Sequence, residues 1–232
     1  MIGIVVPAHN EESDIGETVA ALLRAAAHPA LQCEKVEVLV VLDSCSDATG
    51  AIARFGGART LAVDACNVGR ARAAGADRLL AEGARWLAFT DADTRVSPEW
   101  LVRQLELDAD AVCGSIGVDD WSVHGTYADA LRGHFARTYT DADGHRHIHG
   151  ANLGVSAMAY VRAGGFPALA CSEDVALVEA LQATGARIAW SAAPRVSTSA
   201  RHNARARGGF GDTLLAVIAA GLAATVATRL AD

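Results

Sequence analysis

The sequence predicts an α/β protein: a single three-layer α/β/α domain over residues 1–232, built on a mixed, mostly parallel central sheet. Three observations carry that prediction. Short apolar, β-branched runs alternate with longer helix-like runs over the first hundred residues. Parallel strands covered on both faces read in this near-continuous apolar way. Polar residues follow directly on the first, second and fourth of these runs, and in a parallel sheet those ends share one edge, where open α/β sheets bind ligands. Finally, 232 residues suffice for one domain with a substantial core.

Each element has its own warrant. IGIVVP, Ile2 to Pro7, is the first strand, followed by a polar turn and a helix from about Asp14 to Ala27. VEVLVVLD, Val36 to Asp43, is the second, with a short helix through Asp47 to Arg54. RTLAV, from Arg59, is the third, and an Ala- and Arg-rich helix follows Gly69. WLAFT is the fourth, after which Ser97-Pro98 offers an N-cap and first-turn pair for a helix. In the less regular second half, AVCGSIGV reads as a strand and Trp121 to Tyr139 as one long helix. DADGHRHIHG is a polar loop, GANLGVS a strand, SEDVALVEALQATG a helix that Ser172 would cap, and RIAW the last strand. The apolar stretch Leu214 to Ala227 is short for a membrane span and reads as a packed terminal helix.

A net charge of −7 argues against a general nucleic-acid-binding surface. Cys33, Cys45, Cys66, Cys113 and Cys171 are odd in number, widely spaced and without a C-x-x-C pair, which suits reduced thiols in a cytoplasmic protein. The N-terminus enters a strand at once with no basic flank, so no signal peptide is expected. A cytoplasmic protein without a transmembrane segment is the expectation, with peripheral membrane contact and oligomeric state left open.

The stretch WLAFTDADTRVSPEW runs from an apolar strand straight into Asp91 and Asp93. Residues i and i+2 of extended chain lie on one side, about 6.5 Å apart. At that separation two carboxylates repel by roughly 2.5 kcal/mol at an effective dielectric near 20. A bound cation is one candidate to offset this; ordinary Asp turn chemistry is the alternative. The pairs Asp108/Asp110 and Asp141/Asp143 share the spacing, but not the position at a strand end. PAHNEE after the first strand is not G-x-G-x-x-G, which argues strongly against a standard nicotinamide site, and no Gly-rich nucleotidyltransferase loop stands there either. His145, His147 and His149 alternate, so an extended chain would put three imidazoles on one side, either as a zinc or copper site or as a polar loop over an acceptor. Arg195, Arg201, Arg205 and Arg207 read as a solvated run or as a lid that clamps an anion.

PAHNEE, DSCSDAT, NVGRARAAG, FTDAD, HGANLGVS, GGFP and SEDVAL occur in the order found in family 2 glycosyltransferases of the Rossmann-like GT-A fold, and the resemblance spans roughly Ile2 to Arg207. It implies a nucleotide-binding half over about residues 1–100 and an acceptor-binding half over about 101–232. In such a protein Pro7, Ala8 and His9 would wall the nucleoside pocket, with Glu11 nearby. Asp43 would bond the base or ribose, and Arg72 would face the base or diphosphate, although Ala73 stands where the family has Asn. Asp91 and Asp93 match the D-x-D motif, Asp93 as the direct metal ligand, and His202 is a further candidate ligand. Asp174 matches the catalytic base, while Gly150, Asn152, Glu173 and Arg201 fall on the acceptor or donor-sugar side. The partners implied are a nucleotide-diphosphate sugar, Mn²⁺ or Mg²⁺, and a hydroxyl acceptor that the sequence does not name. Transfer would be inverting, and the absence of Q-x-x-R-W points away from processive synthesis. The chemistry fits: a departing diphosphate needs a hard cation on oxygen ligands, and the attacking hydroxyl needs a carboxylate base. A non-catalytic nucleotide-sugar-binding or scaffold protein of the same fold is the alternative.

Overall fold

The computed structural model describes residues 1–201 together with Leu215, Ile218 and Ala219. Eight strands form one sheet: β1 (Ile2–Ala8), β2 (Val36–Asp43), β3 (Arg59–Val63), β4 (Trp86–Phe89), β5 (Arg95–Val96), β6 (Ala111–Gly117), β7 (Leu153–Ser156) and β8 (Ile188–Ser197). Over residues 1–201 the α-helices that accompany them are α1 (Ile15–Ala26), α2 (Thr49–Phe55), α3 (Val68–Ala81), α4 (Trp100–Glu106), α5 (Ala128–Thr138), α6 (Ala157–Ala163) and α7 (Glu173–Ala183). The strand order is β3-β2-β1-β4-β7-β6-β8-β5. β1, β2, β3 and β4 pair in parallel, as do β6 and β8, while β7 runs antiparallel to β4 and β6.

Every residue of β1 and β6 is buried, which is why both read as near-continuous apolar runs, Ser115 of β6 excepted, rather than alternating. Beneath them lies a continuous core of Val5, Leu39, Val41, Leu79, Phe89, Leu153, Val155 and Leu177 among others. Helix α3 packs on β1 and β2 through Gly75. A methyl there would stand 2.5 Å from Val5 Cγ1 and 2.8 Å from Val41 Cγ2, so a larger residue would push the helix off the sheet. Asn67 caps α3 by accepting from the Arg70 N–H at 2.9 Å.

Register brings the polar segments together. Ala8 lies opposite Leu42 and Val63 opposite Asp43, so the loops after β1, β2 and β3 leave the sheet side by side. Phe89 is opposite both Val5 and Leu153, which sets Thr90–Asp91 between the end of β1 and the segment before β7.

The chain divides into two compact units. The first comprises residues 1–117 and 141–198 and holds the whole sheet. The second comprises residues 118–140 and 199–232, where Trp121, Leu131 and Ala200 form a small cluster with Val118, Ala128, Phe135 and Ile218. The expected long helix over 121–139 is instead a 3₁₀ turn, Ser122–Tyr127, followed by α5. Gly125, at φ +52°, breaks it.

Other boundaries differ for local reasons. Ser97-Pro98 forms a turn before α4 rather than its cap, with the Trp100 N–H donating to the Ser97 carbonyl. Ser172 stands at φ +60° with no side-chain capping bond to α7. β8 extends past RIAW through Pro194 to Ser197, taking in the start of the Arg-rich segment, and β5 pairs with its end. The apolar stretch 214–227 lies outside the described residues apart from Leu215, Ile218 and Ala219, which are helical. No described helix is long and apolar enough to cross a membrane.

Candidate active site

The first wall of the site is laced from the loops after β1 and β2. Pro7 and Ala8 are buried at the end of β1, and the exposed His9 bonds through Nδ1 to the Asp43 carbonyl at 2.7 Å. Asn10 Oδ1 accepts from the Ser46 N–H at 2.8 Å, and Glu12 Oε2 from the Ala48 N–H at 3.0 Å. The buried Glu11 donates its backbone N–H to Thr49 Oγ1 at 2.7 Å. Asp43 is 5% exposed. Its carboxylate accepts from the N–H groups of Ala65, Cys66 and Asn67 at 2.8–2.9 Å and from the Ser44 hydroxyl at 3.2 Å. Burial opposes its ionisation, but those backbone bonds outweigh burial and hold its pKa below the usual carboxylate range. Asp43 thus clamps the 64–67 loop that opens α3.

The second wall begins where β4 ends. The Thr94 N–H closes a turn on the Asp91 carbonyl at 3.1 Å, and Thr18 on α1 anchors the same turn through the Ala92 carbonyl at 2.8 Å. Asp91 and Asp93 both remain partly exposed. Arg72, projecting from α3, supplies the positive charge that the pair lacks by itself. Its Nη2 lies 2.5 Å from Asp91 Oδ1, and its Nη1 bonds Glu173 Oε1 at the start of α7. Arg72 and Glu173 are each 4% exposed. The guanidinium also lies 5.8 Å from the Phe166 ring centre, and its Nε is buried without a hydrogen-bond partner among the described residues. Burial alone would lower the Arg72 pKa; Asp91, Glu173 and Asp174 outweigh it and keep the group charged. Burial pushes Glu173 up, Arg72 opposes that, and the Asp174 and Asp91 charges add to the rise. Three carboxyl groups, those of Asp91, Glu173 and Asp174, thus act on the one guanidinium of Arg72.

Asp174 occupies the first turn of α7 beside Glu173. Its Oδ2 accepts from the Gly150 N–H at 2.7 Å and its Oδ1 from the Val175 N–H at 2.8 Å. Gly150 is required here, because a methyl group would overlap the Arg72 guanidinium. Burial, with the charge of Asp174 adding to it, raises the Cys113 thiol pKa to about 12 and keeps the thiol protonated.

The three histidines do share one side. The rings of His145 and His147 stack at 5.5 Å and those of His147 and His149 at 6.0 Å. Burial first, then the neighbouring His147 and His145, depress the His149 pKa to about 4, against the pull of Asp91. Arg146 lies over the Trp190 ring at 5.1 Å. Among the described residues no three His, Cys, Asp or Glu side chains form a ready-made metal cage.

Of the residues singled out in sequence, Asp91, Arg72, Glu173, Asp174 and Gly150 converge on one cluster. Asn152 does not open onto it. It is fully buried, accepting from Trp100 Nε1 at 2.9 Å and donating to the Ser115 and Pro194 carbonyls at 2.8 and 2.5 Å. Arg195 lies in β8 paired with Asp141 at 3.0 Å, so it is not part of a free lid. Arg201 belongs to the second unit, and His202, Arg205 and Arg207 lie outside the described residues. Sequence reading missed Thr18, which anchors the Asp91–Thr94 turn, and Phe166, which packs on Arg72. Neither carries a signal beyond ordinary core patterning, although Phe166 falls within the quoted GGFP.

No curated protein matches the chain. Solved structures do. S. aureus TarS, residues 1–349 in complex with UDP-GlcNAc, is 16% identical with a TM-score of 0.65, over 90% of this chain and 61% of that one. M. tuberculosis glucosyl-3-phosphoglycerate synthase is 18% identical with a TM-score of 0.56, over 88% of this chain and 73% of its own. That enzyme has also been solved in complex with Mn²⁺, UDP and glucosyl-3-phosphoglycerate. The likeness fixes the fold as that of these glycosyltransferases, and the chain spans about three fifths of the TarS chain. The family model described as Glycosyl transferase family 2 matches residues 3–162, most of the chain and all of the first wall, and the chain belongs to that family.

Proposed function

We propose that the protein transfers a sugar from a nucleotide-diphosphate donor to an acceptor hydroxyl, in one displacement with inversion, and adds one or few sugars per acceptor. The observation that carries this reading is the convergence of a candidate base, Asp174, and the Asp91–Asp93 turn on one buried arginine. The donor's base and ribose would rest on the loops after β1, β2 and β3, which Asn10 and Asp43 brace.

The residues present fit a divalent cation of the magnesium or manganese kind. Such ions are commonly held by one or two carboxylates, with substrate phosphates and water completing the shell, so a preformed cage is not required. Asp93 would hold the ion, with Asp91 beside it, and the ion would supply charge neutralisation for the departing diphosphate. The Mn²⁺ and UDP bound by the structurally similar synthase support this choice.

On the acceptor side Asp174 takes the proton as the hydroxyl oxygen bonds to the anomeric carbon and the carbon–diphosphate bond breaks. The Gly150 N–H fixes the orientation of the carboxylate. A melting panel of UDP, GDP, dTDP and CMP, each with and without Mn²⁺, tests the reading. A ligand at 100 times its Kd adds about 2.7 kcal/mol, which raises the Tm by roughly 5–10 °C at this size. One nucleotide should shift the Tm only when the metal is present; no metal-dependent shift with any of the four contradicts the proposal.

A further inference from the structure

We infer that Arg72 is a positioning residue rather than a nucleotide contact: its guanidinium is the built-in counter-cation of Asp91 and, through Glu173, sets the aim of Asp174. The inference rests on the proposed function for the roles of Asp93 and Asp174, whereas the bonding around Arg72 stands without it.

The guanidinium is enclosed. Asp91 takes Nη2, Glu173 takes Nη1, the Phe166 ring lies 5.8 Å away, and Gly150 stands so close that a methyl would collide. At 4% exposure the residue offers no face to a base or diphosphate. What Arg72 touches instead is informative. Glu173 immediately precedes Asp174 on α7, and Gly150 is the residue whose N–H holds the Asp174 carboxylate. One side chain thus joins α3, the end of β4 and the start of α7.

Arg72→Met, Arg72→Lys and Glu173→Gln separate the two roles. The readouts are Mn²⁺ affinity, from the electron paramagnetic resonance signal of the free ion, UDP affinity at saturating Mn²⁺, and UDP release from UDP-glucose and UDP-GlcNAc. Arg72→Met removes a positive charge and frees Asp91, so Mn²⁺ should bind about tenfold more tightly. UDP affinity should hold while turnover falls about 10²-fold, the scale of a misplaced catalytic group. Arg72→Lys, a point charge without the fork, should restore the Mn²⁺ affinity but not the turnover. Weaker UDP binding with Mn²⁺ affinity unchanged or reduced would make Arg72 a nucleotide contact and overturn the inference. Should the Arg72 variants fail to fold, Glu173→Gln decides, because it removes half of the bridge and keeps the shape. It should lose turnover with UDP affinity intact, and wild-type turnover would overturn the inference. A wild-type protein that releases no UDP from either donor counts against the proposed function for uridine donors, while the Mn²⁺ affinity of Arg72→Met still decides the place of Arg72.

Discussion

Lowering the pH should destabilise the protein through His149, beginning near pH 6.5, well above the pH at which the depressed carboxylates start to contribute. Burial, then His147 and His145, move the His149 pKa from 6.5 to about 4, with Asp91 pulling the other way. The unfolded chain takes up this proton near pH 6.5, whereas the folded protein resists it until about pH 4. Between those values the unfolded state binds more protons, so stability is fully present above pH 6.5 and drains away as the pH falls towards 4. At about 1.4 kcal/mol per pH unit the whole loss comes to about 3.5 kcal/mol, of which about 3 kcal/mol falls above pH 4.5. Asp43 and Glu34, whose pKa values are depressed from 3.8 and 4.5, act lower, as pH falls below those values. Glu173 is shifted up and works in the opposite sense, so the effect must be isolated by variant. Urea unfolding followed by tryptophan fluorescence at pH 7.5, 6.5, 5.5 and 4.5 would give the slope for wild type and for His149→Gln. The wild type should lose about 3 kcal/mol more than the variant across that range. Equal pH dependence in the two proteins would refute the reasoning, and with it the burial of a neutral imidazole at the end of the stack.

Two further outcomes follow from the site. Asp174→Asn should lower turnover by about 10² to 10⁴ while UDP affinity persists, and undiminished turnover would remove Asp174 from the role of base. Because the amide can satisfy only one of the Gly150 and Val175 N–H groups through its oxygen, melting should be recorded alongside. Asp43→Ala strips the acceptor from the N–H groups of Ala65, Cys66 and Asn67, and should cost about 1–3 kcal/mol in urea unfolding. An unchanged midpoint would mean that the 64–67 loop does not depend on that clamp.

The first half of the fold was legible because its strands are buried on both faces and so announce themselves as apolar runs; β1 and β2 lie within a residue of their expected limits. The second half was less so, since its boundaries depend on tertiary partners. Gly125 looks like a tolerable interruption in a helical run, and only its positive φ shows the break. Ser172 and Ser97-Pro98 have the composition of caps but lie where the chain turns for other reasons. At the site, the convergence of Asp91 with Glu173 was implied by motif order, but the agent that joins them was not. The repulsion between Asp91 and Asp93 invited a bound cation, and the structure supplies a resident one in Arg72, which sits nineteen positions earlier in the chain on a different element. Asn152 shows the converse. A polar residue in a motif reads as functional until its three hydrogen bonds to Trp100, Ser115 and Pro194 place it in the core.

Anomalous diffraction at the manganese edge, from crystals soaked with Mn²⁺ and the nucleotide that raises the Tm, addresses the central claim most directly. A peak bonded to an Asp93 carboxylate oxygen and to the diphosphate, with Asp91 still held by Arg72, is the predicted result. A peak coordinated elsewhere, with Asp93 turned to solvent, would contradict the account.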